Sequence, residues 1–275
     1  MRTLPAAFVP VAVGTAVAVP DTVVERAIVA LVVAVALQIG VNYANDYSDG
    51  IRGTDANRLG PARLVGGDLM EPARVRRAAF GWFAVAAGAG LALSIAVSPW
   101  LVAVGVACVA AAWYYTGGRR PYGYTGFGEL SVFVFFGLVA TAGTAYVQTE
   151  ELVETLTGVA IVAGASVGLM ACALLMANNL RDIPQDRASG KVTLAVRLGH
   201  RRAALLYTVL VLAAIAAATA LTVAHPWTLM CLAVLPLAIP SLRIALSSAS
   251  PIPLRNQTAR LHLALGALLT AGLAI

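Results

Sequence analysis

Nine runs of mostly apolar residues constrain this chain more than any other feature. They lie at 4–20, 22–48, 74–96, 99–116, 129–148, 152–180, 201–223, 226–246 and 257–275. A helix needs about 20 apolar residues to cross a bilayer, and several of the runs reach that length. Lipid offers no partner to backbone polar groups, so only helices and closed barrels span it. These runs are continuous and rich in Ala, Leu and Val rather than alternating, which is the pattern of helices. Composition agrees: 60% of residues are hydrophobic and only 12% charged, against about 25% charged in a soluble domain, and the mean hydropathy is +0.83. The chain reads as an all-α integral membrane protein of about nine transmembrane helices, in a single domain over 1–275. The first run has the length of a signal peptide. We read it as a spanning helix because Pro5 and Pro10 interrupt it and no clear cleavage site follows.

The net charge of +6 reflects topology rather than nucleic-acid binding. Basic residues crowd alternate connections: Arg52, Arg58, Arg63, Arg74, Arg76 and Arg77; then Arg119 and Arg120; then Arg181, Arg187, Lys191, Arg197, Arg201 and Arg202; then Arg243, Arg255 and Arg260. The connections between them are poor in Lys and Arg. This positive-inside pattern puts the basic loops and the N-terminus in the cytoplasm, and an odd helix count puts the C-terminus outside. A multi-pass protein of the cell (cytoplasmic) membrane is expected. Cys108, Cys172 and Cys231 fall inside apolar runs without metal-ligand spacing and read as small core residues. His200, His225 and His262 are scattered and suggest no chemistry.

Acids in membrane helices are costly and mark function, and here they are gathered. The second run ends in Asn42-Tyr-Ala-Asn45-Asp46-Tyr-Ser-Asp49-Gly-Ile-Arg52-Gly-Thr-Asp55. On a helix, Asn42, Asn45, Asp46 and Asp49 share one face, with Gly50 and Gly53 expected to stop the helix and turn it. The sixth run ends in Asn178-Asn179-Leu-Arg181-Asp182-Ile-Pro-Gln-Asp186-Arg187-Ala-Ser-Gly-Lys191. Asn178, Asp182 and Asp186 are spaced by four, again one face, although Pro184 is expected to bend or end the helix and leave Asp186 on the turn beyond. The clusters lie about half a chain apart, which suggests pseudo-repeat halves of about 1–148 and 149–275.

Four carboxylates converging on one membrane face repel one another and need a counter-charge. Their oxygens suit Mg²⁺, which is held by one or two carboxylates plus substrate phosphate oxygens and water. The neighbouring Arg and Lys side chains suit phosphates. A diphosphate on a long apolar tail fits the setting, with its head at the interface and its tail in lipid. A third region, Trp113-Tyr-Tyr-Thr-Gly-Gly-Arg119-Arg120-Pro-Tyr-Gly-Tyr-Thr-Gly-Phe-Gly-Glu129, joins glycines, aromatics and arginines in one basic loop. Arg119 and Arg120 are candidates for a diphosphate or an acceptor carboxylate. Tyr114, Tyr115, Tyr122 and Tyr124 are candidates to pack on an aromatic ring or face a carbocation. Glu129 opens the fifth run, where its charge suits the helix dipole.

These motifs resemble those of the UbiA superfamily of intramembrane prenyltransferases. The family pattern is Asn-Asp-x-x-Asp with a further acid downstream, and Asp-x-x-x-Asp in the second half. Asn45, Asp46 and Asp49 match the first, and Asp182 and Asp186 the second. The further acid is commonly four residues on, where this chain has Gly53; Asp55 is the nearest candidate ligand. The wording is most similar to the branch acting on 1,4-dihydroxy-2-naphthoate. The stretches that carry this are Asn42 to Asp55, Gly-Pro-Ala-Arg-Leu-Val from Gly60, Tyr-Thr-Gly-Gly from Tyr115, Tyr122 to Glu129, Asn-Asn-Leu-Arg-Asp-Ile-Pro from Asn178 and Thr-Leu-Ala-Val-Arg-Leu-Gly from Thr193.

The resemblance implies a nine-helix bundle around a central cavity open to lipid and capped by cytoplasmic loops. It implies Mg²⁺-dependent transfer of a polyprenyl group from polyprenyl diphosphate to 1,4-dihydroxy-2-naphthoate, with loss of CO₂ and diphosphate, giving demethylmenaquinol, the reduced form of demethylmenaquinone. Asp46, Asp49, Asp182 and Asp186 would bind Mg²⁺, with Asn42, Asn45 and Asn178 completing the metal and phosphate shells. Lys191, Arg52 and Arg181 would meet the diphosphate, Arg119 and Arg120 the diphosphate or acceptor carboxylate, and Tyr115 and Tyr122 the cation. An enzyme of the same kind with another acceptor, such as 4-hydroxybenzoate, keeps these features. A cation-coupled transporter also carries intramembrane acids, but such sites sit at the bilayer midplane on broken helices, whereas these acids sit at helix ends beside basic loops.

Overall fold

Helix formation follows the apolar runs closely. The computed structural model describes residues 4–54, 63–150, 154–247 and 253–275. Among these residues nine helical rods follow one another: α1 (Pro5–Val17), α2 (Val24–Ile51), α3 (Pro72–Ala96), α4 (Leu101–Tyr114), α5 (Gly128–Thr149), α6 (Glu154–Ala188), α7 (Leu194–Val223), α8 (Pro226–Leu246) and α9 (Leu254–Ala274). Pro5, Pro72 and Pro226 sit in first turns, where the missing N–H has no helical partner to lose. Two rods are irregular. α5 passes through a π-helical stretch at Phe133–Val139, and α8 begins as a 3₁₀-helix over Pro226–Val234.

Six rods have the length and apolar content to cross a membrane: α2, α3, α5, α6, α7 and α8. The nine crossings expected from the runs are therefore not all matched by length. α1 and α4 are apolar but have only 13 and 14 residues, about 20 Å of helix against a hydrocarbon core of about 30 Å. α9 is long enough, but Arg255, Asn256, Gln257, Arg260 and His262 dilute its first half.

α6 is the central rod. Of its most apolar 18-residue window 72% is buried in protein, against 28% for α2, α3, α5 and α8. The largest core joins α1, α6, α7, α8 and α9 through Val13, Met170, Met176, Tyr207, Val234 and Leu261. A smaller core, Ala44, Ala79 and Phe83, joins α2 to α3 with Trp113 of α4 against it. Some polar groups inside are paired: the Tyr207 and Thr258 hydroxyls lie 2.8 Å apart, and Ser166 donates to the Ala214 carbonyl at 2.8 Å.

In lipid, helices associate through close packing of small residues rather than through a hydrophobic driving force. The α5–α6 contact shows this. A Cβ on Gly137 would lie 2.5 Å from the Gly168 Cα and 2.7 Å from the Gly164 carbonyl oxygen. Gly164 and Gly168 form a small-xxx-small pair on α6, and the π-helical stretch presents Gly137 to it. This contact holds α5 against α6, and the first turn of α5 lies at the site described below.

At one end of the bundle Arg26 pairs with Glu150 at 2.5 Å and the Val23 N–H donates to Gln148 at 2.8 Å, tying the start of α2 to the end of α5. The acidic ends of α2 and α6 lie at the other end.

Gly137→Val is expected to destabilise the protein by about 1–3 kcal/mol, read as a lower melting temperature in detergent. Gly143→Ala, where an added Cβ meets nothing within 4 Å, is expected to leave melting unchanged.

Candidate active site

The α2 cluster keeps its shared face. The helix runs on to Ile51, and Gly53, at φ +73°, turns the chain away. Gly50, expected to help stop the helix, instead lies within it. Its bare surface admits Val65, whose Cγ1 would sit 2.4 Å from an added Cβ. That close approach brings a returning loop onto the helix. The N–H groups of Leu64 and Val65 each donate 3.0 Å bonds to the two oxygens of the buried Asp46 carboxylate. Asp55 lies outside the described residues, as do Gly60, Pro61 and Ala62 of the string that begins at Gly60.

The other members of this face are held differently. Asp49 is buried and accepts a hydrogen bond from the Tyr124 hydroxyl. Asn45 accepts from the Thr116 hydroxyl at 2.8 Å, and Asn42 is half-buried a turn deeper. Arg52 donates to the Thr116 and Gly118 carbonyls and stands 5.5 Å from the Tyr124 ring centre. It therefore clamps the α4–α5 loop to the end of α2.

On α6 the helix continues through Pro184 to Ala188. Proline removes one backbone donor but does not oblige a helix to end, so Asp186 lies on the helix and not on a turn beyond it. Asn178, Asp182 and Asp186 consequently share one face. Arg181 grips Asp182 with two parallel bonds of 2.6 Å. Asp186 is buried, with the Lys191 Nζ at 4.0 Å and the Thr193 hydroxyl at 3.5 Å. The Lys191 N–H donates to the Asp186 carbonyl at 2.8 Å, which folds the loop back over the helix end.

Tyr124 joins the two ends. Its hydroxyl donates to Asp49 on α2, its ring centre lies 4.8 Å from the Lys191 Nζ, and its carbonyl accepts from the Val192 N–H at 3.0 Å. Gln185 of α6 donates to the Thr54 carbonyl beyond α2 at 2.7 Å. Two acidic helix ends half a chain apart are thus brought to one place. Burial and the Asp49 carboxylate push the Tyr124 phenol well above its ordinary pKa, so it stays a donor.

Around this centre Tyr115 and Tyr122 pack edge to face with centroids 5.5 Å apart. The Tyr122 hydroxyl donates to the Ala111 carbonyl at 2.7 Å and lies 2.9 Å from the Ser131 hydroxyl, so its polar end is engaged within the loop. Arg119 and Arg120 are exposed at the loop tip. Sequence reading gave no site role to Thr54, Thr116, Gln185 or Asn179. It also read Glu129 only as a partner for a helix dipole. Glu129 is in fact buried and accepts from Asn179 of α6 at 2.9 Å. Adjacency of Asn179 to Asn178 is the one sequence signal that points to it.

All four aspartates offer hard oxygen donors, and each retains lone pairs beyond the contacts described. Among the described residues no three His, Cys, Asp or Glu side chains form a group that could by itself hold an ion. Such a donor set suits Mg²⁺ shared with a phosphate ligand, which commonly takes only one or two carboxylates from protein.

Two matched acidic faces meet at one end of a helical membrane bundle, with basic side chains beside them. The chain belongs to the UbiA prenyltransferase family, whose sequence model matches residues 7–271. A relative from Mycobacterium tuberculosis named 1,4-dihydroxy-2-naphthoate octaprenyltransferase is 51% identical over 240 residues, covering 86% of this chain and 81% of the relative. The fold is similar to that of a UbiA homolog from Aeropyrum pernix K1 in its apo form, with a TM-score of 0.77 at 17% identity over 99% of this chain and 97% of that one. It is also similar to a UbiA homolog from Archaeoglobus fulgidus bound to DMAPP and Mg²⁺, with a TM-score of 0.64 at 12% identity over 100% of this chain and 96% of that one.

Asp46 is a structural acceptor as well as a candidate ligand. Asp46→Ala strips two loop N–H groups of their partner and is expected to destabilise the substrate-free protein by about 1–3 kcal/mol. Differential scanning fluorimetry in detergent checks this, and Asp46→Asn, which keeps one acceptor oxygen, is expected to lose less.

Proposed function

We propose that this protein transfers a polyprenyl group from polyprenyl diphosphate to 1,4-dihydroxy-2-naphthoate, with loss of diphosphate and CO₂, in menaquinone biosynthesis. The relative from M. tuberculosis that bears this activity in its name supports the acceptor. The observation that carries the chemistry is the meeting of the α2 and α6 acidic ends through Tyr124.

Asp46, Asp49, Asp182 and Asp186 would hold Mg²⁺, as the Mg²⁺-bound A. fulgidus homolog encourages. When bound, Mg²⁺ would supply Lewis-acid stabilisation of the charge that builds on the departing diphosphate. The chain's own cations then have a defined task. Arg181 and Lys191 pair with Asp182 and Asp186 in the substrate-free protein; with Mg²⁺ held by those carboxylates, the two cations would be available to donate to phosphate oxygens. Arg52 shapes the loop above them and reaches the diphosphate only by giving up its carbonyls. Arg119 and Arg120 extend from the loop tip toward the diphosphate or the acceptor carboxylate. Asn42, Asn45 and Asn178 orient the donors around the head group. Tyr115 and Tyr122 present ring faces and edges where allylic charge develops, and their position inside the loop keeps water from it.

The head group sits at the acidic end and the prenyl tail runs along the apolar rods toward lipid. The two halves, about 1–148 and 149–275, each supply one acidic helix. The basic loops support a cytoplasmic position for this end of the bundle and for the N-terminus.

Purified protein given 1,4-dihydroxy-2-naphthoate and a polyprenyl diphosphate is expected to form the prenylated, decarboxylated product with Mg²⁺ and none with EDTA, as read by mass spectrometry. Asp49→Ala and Asp186→Ala are each expected to lower kcat by at least about 100-fold. Product with another aromatic acid alone would move the acceptor and keep the chemistry. Absence of any product, with cation flux in proteoliposomes, would replace the proposal by a transporter.

A further inference from the structure

One buried carboxylate near the diphosphate site is half satisfied. Glu129, at the start of α5, has 8% of its surface exposed. Its Oε1 accepts from the Asn179 amide at 2.9 Å. Its Oε2 is buried and meets no donor among the described residues. An unpaired buried carboxylate oxygen is costly, by about 1–3 kcal/mol or more, and such groups persist where a ligand supplies the missing partner.

Position says which ligand. Asn179 is on α6, three residues before Asp182 and seven before Asp186, so Glu129 lies roughly 5–10 Å deeper along that helix than the two aspartates. Tyr115 lies beside it: its hydroxyl would be 3.0 Å from a Cβ on Gly128, the residue before Glu129. If the diphosphate occupies the aspartate layer, the ring that attacks its allylic carbon must lie one layer below. There an ionised Oε2 accepts, so its partner carries an O–H or N–H. The Cys172 thiol is engaged elsewhere, donating to the Glu129 backbone carbonyl at 3.0 Å.

We infer that Glu129 Oε2 is the acceptor-ring contact, taking a hydrogen bond from the ring hydroxyl beside the attacked carbon, with Asn179 as the residue that aims it. The inference rests on the proposed prenyl transfer to a dihydroxynaphthoate. As the ring carbon bonds to the allylic carbon, the diphosphate leaves with the electron pair of the broken C–O bond. The hydroxyl proton passes to Oε2, leaving a ring carbonyl. Departure of CO₂ returns its bonding pair to the ring, and the ring oxygen takes the proton back from Glu129. No proton is gained or lost by the enzyme, so no other co-reactant is needed. Glu129 is then a catalytic residue in the strict sense, and Asn179 a positioning residue.

Glu129→Gln keeps an acceptor oxygen for Asn179 and puts an N–H₂ donor where Oε2 was. It is expected to lower kcat/KM for the naphthoate by about 100-fold or more while leaving KM for the polyprenyl diphosphate within about 2-fold, at an unchanged melting temperature. Glu129→Asp is expected to recover about 10-fold over the Gln variant. Wild type should bind the naphthoate better than its methyl ether at that hydroxyl, and Glu129→Gln should reverse the order, because the ether oxygen can accept but cannot donate. A purely structural role would not invert that preference. Equal losses toward both substrates, or a Gln variant with wild-type acceptor kinetics, would overturn the inference while wild-type activity upheld the proposed function. A wild-type enzyme that does not prenylate the naphthoate would overturn both. If the Gln variant loses its cooperative melt, Asn179→Ser carries the same test, with acceptor kcat/KM expected to fall and the diphosphate KM to hold.

Discussion

Four carboxylates at the ends of two membrane helices repel each other and lose hydration, and the architecture answers each one separately. Asp46 receives two backbone N–H groups, Asp49 a phenol, Asp182 a bidentate guanidinium and Asp186 an ammonium. Buried charge is tolerated only with partners of this kind. The partners differ in what they give up when a ligand arrives. The backbone donors to Asp46 belong to a loop whose position they define, so they stay. The cations on Asp182 and Asp186 are side chains that can turn from carboxylate to phosphate. The same constraint that lets the acids exist without substrate therefore leaves two side-chain cations, Arg181 and Lys191, beside the proposed diphosphate position.

Everything else in the fold serves that arrangement. The close glycine contact of Gly137 with Gly164 and Gly168 fixes α5 against α6, and so fixes Glu129 against Asn179. Gly50 admits the loop that caps Asp46. The α4–α5 loop, clamped by Arg52, carries Tyr124 between the acidic ends. The far end of the bundle is closed by the Arg26–Glu150 pair and by Trp100, which donates to the Tyr146 hydroxyl at 3.0 Å. Charge is thus confined to the two ends, and the intervening rods expose large apolar side chains such as Ile95, Val106 and Val209 to lipid.

Much of this is legible in the residues and some is not, for definable reasons. Helix periodicity is a local property, so the shared faces of Asn42 to Asp49 and of Asn178 to Asp186 follow from spacing alone. Family membership was also legible, because the acidic strings are long and specific, and the match over 7–271 bears it out. Helix ends are set by tertiary contacts, which is why Pro184 fails to end α6 and Gly50 does not end α2. Length and apolar content match six of the nine expected crossings, and α1 and α4, at 13 and 14 residues, fall short of the hydrocarbon thickness by that measure. Contacts between distant segments, such as Gln185 with Thr54 and Asn179 with Glu129, leave almost no trace in a single sequence. Arg52 and Arg181 look from sequence like free phosphate ligands. Only the folded chain shows that one holds a loop and the other a carboxylate.

The central claim is that the α2 and α6 ends form one site in the folded protein. Crosslinking of a Thr54→Cys, Gln185→Cys double variant with a short bifunctional maleimide, in membranes and against each single variant, tests it most directly. The contact between these two positions is 2.7 Å through the Gln185 side chain, so efficient intramolecular crosslinking without loss of cooperative melting is predicted. A folded double variant that crosslinks no better than the single variants would mean that the two acidic ends do not meet, and the account built on their meeting would fail.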